Sequence, residues 1–294
     1  MCFKEILGST NIEGIIDSYA EYLFRKHPLN LKRFKSRRDA LGEAALAEAV
    51  VFGLLQSLHL SPEIHEDIQT GGPDFVCAGS TLGFGLRPFI EPRTKDRFVV
   101  EATCLEPDAV TARSTIPNEP PEDVNGGPFS ILTKSICYKA RDKATQLGGY
   151  PVPRVLAVAS SHAQVGAIFN TVGAEYALTS DAKIVNPMGS VEPRQCTDLR
   201  TSVFLRIARD RQAVVPCLQS ISAILLIAVY RDKSEVYGIL HPEPAQPLQI
   251  GFFPKIPFVR LTKWPVTDGI ISTEWVVADP DGRGIPHRPV RANA

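Results

Sequence analysis

The sequence lacks the residue patterns that announce the commoner chemistries. Its six cysteines, Cys2, Cys77, Cys104, Cys137, Cys196 and Cys217, are widely spaced and include no Cys-x-x-Cys pair, which argues against a zinc site and a disulfide framework. Such usage suits a reducing, intracellular compartment. The six histidines, His27, His59, His65, His162, His241 and His287, form no His-x-x-x-His pair, so zinc hydrolysis is disfavoured. Neither a Gly-x-Ser-x-Gly elbow nor a Gly-x-x-x-x-Gly-Lys-Ser/Thr loop occurs, and the α/β-hydrolase and P-loop readings lose their main support.

Long apolar runs are missing too. The strongest, Ile221 to Tyr230, is far too short to span a bilayer, and residues 1–20 carry Glu5, Glu13 and Asp17 where a secretory leader needs an unbroken apolar core. A cytoplasmic protein without a membrane partner is the expectation. Net charge is absent: 32 Lys and Arg balance 32 Asp and Glu, so no global positive field marks a nucleic-acid binder. Any basic surface must be local. Candidates are Arg25 to Arg38, with Lys26, Lys32, Arg33, Lys35 and Arg37 between them, and a second cluster from Lys134 to Lys143. For the first, a solvated helix face is the competing reading.

What is present is an ordinary globular composition, 44% hydrophobic and 22% charged, in a 294-residue chain that can form one α/β domain with long loops. The 24 prolines cluster at 107–128, 242–257 and 280–289 and mark loops or tails. Between them the spacing of Leu41, Ala44, Ala45, Ala47, Val51, Leu54, Leu55 and Leu58 predicts one amphipathic helix from Arg38 to Leu58. Glu48 falls close to its apolar stripe, and Glu43 is the competing inward acid.

Gly71-Gly72-Pro73 punctuates a turn into a short strand at Asp74–Cys77. Arg97–Leu105 reads as a central strand, with several β-formers and no glycine or proline. The segment 106–128 reads as a long loop, a candidate lid or partner surface. Ile131–Leu147 reads as a helix on which Lys139, Lys143 and Gln146 share one stripe at i, i+4 and i+7. Arg154–Ser160 resembles a buried parallel strand, running into a capped loop at Ser160-Ser161-His162, and Ser222–Tyr230 with Glu235–Leu240 suggests a hairpin turning through 231–234. The expected organisation is a single domain over 1–294 with its core at about 38–240 and a proline-rich C-terminal extension at 241–294.

Two carboxylates on neighbouring strands form the oxygen-rich pocket that magnesium takes, and Asp74 and Glu101 are placed for that. A bound magnesium polarises a phosphodiester and neutralises developing charge, and a nearby lysine can orient water. In this order of elements, Pro73-Asp74 and Glu101-Ala102-Thr103 resemble the two acidic motifs of the PD-(D/E)XK, restriction-endonuclease-like nucleases, over roughly residues 40–160. The resemblance implies an α/β fold with a central mixed β-sheet flanked by helices, and a magnesium- or manganese-dependent endonuclease that hydrolyses DNA. It also implies a setting such as bacterial defence.

Carried over residue by residue, the resemblance makes Asp74 and Glu101 metal ligands, with Glu48 assisting from the preceding helix. Thr103 departs from the pattern by standing where the lysine is expected. Some branches supply that lysine from the following helix, which points to Lys143, with Lys139 as the second choice and Gln146 orienting water or backbone. Lysines at this spacing also occur as a plain solvated face, and a glutamate such as Glu48 as a boundary residue. Because Thr103 breaks the motif, an eroded nuclease-like fold that only binds nucleic acid or protein is the alternative function. The neutral charge suggests that a second copy or a partner protein helps to hold the substrate.

Overall fold

The computed structural model of the chain describes residues 12–65, 72–79, 97–105, 127–161, 163–166, 168–185, 194–208, 213–230, 233–266 and 271–287. Gly71, most of the proline-rich segment 106–128 and His162 lie outside the described residues, and no side chain is described before Thr133 on the helix that follows.

The N-terminal third is helical. Helices α1 (Ile12–Lys26), α2 (Pro28–Leu41) and α3 (Glu43–Ser57) follow one another with single-residue joints at His27 and Gly42. Sequence spacing had suggested one helix from Arg38 to Leu58, but the chain breaks at Gly42, whose φ of 18° and ψ of −60° are not helical. The apolar pattern runs on across the break because both helices face the same core. Tyr19 and Leu23 of α1 and Phe34 of α2 are fully buried against α3, and Tyr19 meets Phe34 edge-on and Phe52 at ring-centroid distances of 5.1 and 4.8 Å. Pro28 at the start of α2 suits a first helical turn, where its missing N–H costs nothing.

Strands β1 (Glu63–Ile64), β2 (Phe75–Ala78) and β3 (Arg97–Cys104) come next, then α4 (Gly127–Leu147) and β4 (Arg154–Ser160). A short α5 (Ala163–Gly166) and α6 (Thr171–Thr179) precede two small hairpins, β5 (Asp181–Val185) with β6 (Arg194–Asp198) and β7 (Leu205–Ile207) with β8 (Val214–Pro216). Strands β9 (Ala223–Tyr230) and β10 (Lys233–Leu240) form the expected hairpin with a tighter turn, since Lys233 already pairs with Tyr230.

Beyond residue 240, β11 (Phe258–Leu261), β12 (Thr273–Ala278) and β13 (Gly284–Pro286) join the main sheet, whose order is β1-β2-β3-β4-β9-β10-β11-β12-β13. The C-terminal segment is therefore part of the core and not an appended extension, and α1 and α2 widen the core at the other end as well. Pairing is parallel at β3–β4, β4–β9 and β10–β11 and antiparallel elsewhere in this sheet. The fold is thus mixed α/β, a large mixed central sheet flanked by helices.

Alternation along the strands divides the core into two layers. Phe75, Phe98, Val100, Val155, Ala157, Leu225 and Ile227 pack toward α1–α3, while Val99, Leu156, Val158, Ile224 and Leu226 pack toward α4 and α6. Strands β4 and β9 are buried on both faces, which explains their unbroken apolar sequences. Among the described residues no helix is long and apolar enough to cross a membrane.

Candidate active site

The β2–β3 ladder pairs Phe75 with Val100, so Asp74 falls opposite Glu101 one step further along. Residues facing each other across an antiparallel pair have Cβ atoms about 5 Å apart. Glu101 shares the face of Val99, toward α4, and Asp74 shares that of Val76, whose side chain packs against the same layer. Both carboxylates are buried, Asp74 at 8% and Glu101 at 2% exposure. Asp74 Oδ2 accepts a 2.7 Å hydrogen bond from the backbone N–H of Ala102, which fixes the carboxylate against β3 beside Glu101.

Helix α4 covers this face with Ile136, Ala140, Ala144 and Leu147, and that seating turns its neighbouring stripe toward β3. Lys143 Nζ donates to Glu101 Oε1 and, at 3.1 Å, to Gln146 Oε1. Gln146 Nε2 donates to the Gly72 carbonyl at 2.6 Å and reaches Glu101 Oε2 at 3.4 Å. One amide therefore ties together the turn before β2, the acid of β3 and the lysine of α4. It is Lys143, not Lys139 one turn earlier, whose ammonium meets Glu101.

Gly72 has φ of +134°, a conformation that side chains rarely adopt. A Cβ there would stand 2.9 Å from the Tyr150 hydroxyl, so the turn closes against Tyr150, which in turn meets His65 edge-on at a centroid distance of 5.6 Å. These residues wall one side of the site. Thr103, at 8% exposure, lies on the Glu101 face of β3 by alternation.

Glu48 comes from the opposite layer. Its Oε1 accepts from the Tyr19 hydroxyl and its Oε2 from the Arg37 guanidinium, an arrangement that compensates a carboxylate left only 7% exposed. Burial pushes the Tyr19 phenol far above its ordinary range, and the charges of Glu48 and Asp74 push it the same way, so the hydroxyl stays protonated and donates. Among the described residues no group of three or more His, Cys, Asp or Glu side chains is placed to hold a metal, so Glu48 does not complete a three-carboxylate set with Asp74 and Glu101. Glu43, the competing inward acid, accepts instead from Ser161 Oγ at 2.6 Å, beside Ala159 and Val229.

Sequence reasoning missed the clamp of Tyr19 and Arg37 on Glu48 and the Gly72 carbonyl as the anchor of Gln146. The Gly-Gly-Pro punctuation was the one available signal for the latter. No protein-family model, no curated protein and no solved structure matches this chain.

Proposed function

We propose that the chain is a magnesium-dependent nuclease of the PD-(D/E)XK type that hydrolyses DNA phosphodiesters, with Asp74, Glu101 and Lys143 as its working set. The observation that carries this reading is the lysine of α4 meeting the acid of β3, since Thr103 leaves the strand itself without one. The order helix, strand, strand, helix, strand around these residues supports the restriction-endonuclease-like core.

Two buried carboxylates on one face of adjacent strands fit a hard cation, because magnesium is commonly held by one or two carboxylates with water in its remaining positions. Asp74 and Glu101 would hold it, and when bound it supplies Lewis-acid polarisation of the phosphodiester and neutralises charge on it. Lys143 keeps an ammonium at the Glu101 carboxylate, where it can orient a water or stabilise the phosphate's developing charge. Gln146 holds the lysine in that direction through its own oxygen while its amide nitrogen is pinned to Gly72.

The test is cleavage of a labelled DNA duplex by the full chain with magnesium or manganese. Wild type is expected to nick or cut it, Asp74→Asn and Glu101→Gln to abolish turnover, and Lys143→Ala to slow it by roughly a hundredfold or more, while Lys139→Ala stays near wild type. Full activity in either carboxylate variant overturns the assignment. The eroded binding module is the second reading, favoured by Thr103 standing where the strand lysine is expected and by Glu48 already paired with Tyr19 and Arg37. Its outcome is DNA binding without turnover at any metal concentration.

A further inference from the structure

The chain is electrically balanced, yet its charge is unevenly placed. Between Arg25 and Arg38 there are seven Lys and Arg and no Asp or Glu. The structure turns this run into the end of α1, the joint at His27 and nearly all of α2. Along α2, Leu29, Lys32, Lys35 and Arg38 are all exposed and follow one another at three-residue steps, forming a single ridge. Its three cations span about 9 Å of helix axis, at a rise of about 1.5 Å per residue.

Three of the seven pair with carboxylates, Arg25 with Glu21, Arg37 with Glu48 and Arg38 with Asp39 at 3.8 Å. Lys26, Lys32 and Lys35 have no ion-pair or hydrogen-bond partner among the described residues. Large apolar side chains stand among them: Phe24 is 70% and Leu29 73% exposed, on either side of the joint. Exposed cations flanked by an exposed aromatic side chain at the end of α1 and an exposed aliphatic one at the start of α2 fit a sugar-phosphate backbone with an unstacked base against the ring. An interfacial membrane helix needs a continuous apolar stripe, and the outer ridge of α2 offers only Leu29.

We infer that the α1–α2 hairpin is the nucleic-acid docking surface of this protein, with Lys26, Lys32 and Lys35 on phosphates and Phe24 with Leu29 against a base. Arg37, on the same helix, links that surface to the interior through Glu48, whose other oxygen is held by Tyr19. The inference rests on the proposed nuclease reading for the kind of polymer bound, and not on hydrolysis.

The experiment is fluorescence anisotropy of a labelled single-stranded DNA oligonucleotide with the full chain, in EDTA, over a series of salt concentrations. Substitution of exposed lysines leaves folding nearly unchanged. The triple variant Lys26→Gln, Lys32→Gln, Lys35→Gln is expected to bind at least about tenfold more weakly, with a log–log salt slope shallower by about 2, whereas Lys255→Gln at another exposed position matches wild type. Phe24→Ala is expected to weaken binding several-fold with the salt slope intact, because an apolar contact releases no counterions. An unchanged slope and affinity in the triple variant overturns the inference, and so does wild-type binding to phosphatidylserine vesicles without binding to the oligonucleotide. Because metal is absent, these outcomes are independent of whether the protein cleaves.

Discussion

Lys143 and His241 show how one side chain's surroundings set its role. Lys143 sits on a helix stripe that sequence alone could equally read as a solvated face, and only the seating of α4 on β3 gives its ammonium a carboxylate partner. His241 is buried at 5% exposure and uses both ring nitrogens, Nε2 donating to the Cys217 carbonyl at 2.8 Å and Nδ1 accepting from the Glu243 N–H at 2.9 Å. That pairing needs a neutral ring, and burial lowers its pKa from 6.5 to about 4 against the opposing pull of Cys217 and Glu243. On unfolding the ring regains its ordinary affinity, so the unfolded chain takes up the proton first as pH falls. Stability from this group is present above pH 6.5 and is lost between there and pH 4, by about 3 kcal/mol in all. Urea denaturation at several pH values is expected to show this decline in wild type and to show it flattened by about that amount in His241→Gln. Parallel pH profiles would contradict it.

At the scale of elements, β10 depends on a residue without a side chain. A Cβ at Gly238 would lie 2.0 and 2.2 Å from ring atoms of Phe258, its register partner on β11. The parallel β10–β11 pairing therefore requires glycine there, and Gly238→Ala is expected to cost about 2 to 3 kcal/mol as a lower urea midpoint. An unchanged midpoint would show that the ring moves aside without cost. This pairing was not legible in the sequence: prolines at 254, 257 and 265 frame β11 as though it were a tail, and a parallel partner leaves no turn signal. Arg97–Cys104 was legible because its β-formers run uninterrupted through a strand buried at six of its eight positions. The break at Gly42 was not legible, since α2 and α3 pack on one core, through Leu31 and Phe34 before it and Ala45 and Val51 after it.

For the molecule as a whole, local pattern singled out the two acids and the lysine stripe, while the clamp on Glu48 comes from contacts distant in sequence. Glu48 could be read as inward-facing from its place near Val51 and Leu55, but its partners Tyr19 and Arg37 lie 29 and 11 residues away on other helices. The same helices carry the basic hairpin, so the N-terminal third both braces the sheet beneath Asp74 through Phe52 and Phe75, whose rings lie 5.9 Å apart, and presents the cations. The central claim is that Asp74 and Glu101 share a divalent cation, and anomalous diffraction from crystals of the full chain soaked in manganese tests it most directly. A single peak about 2.1 Å from a carboxylate oxygen of each residue is the expected result, lost in Asp74→Asn. A fully soaked crystal with no peak between them would contradict it.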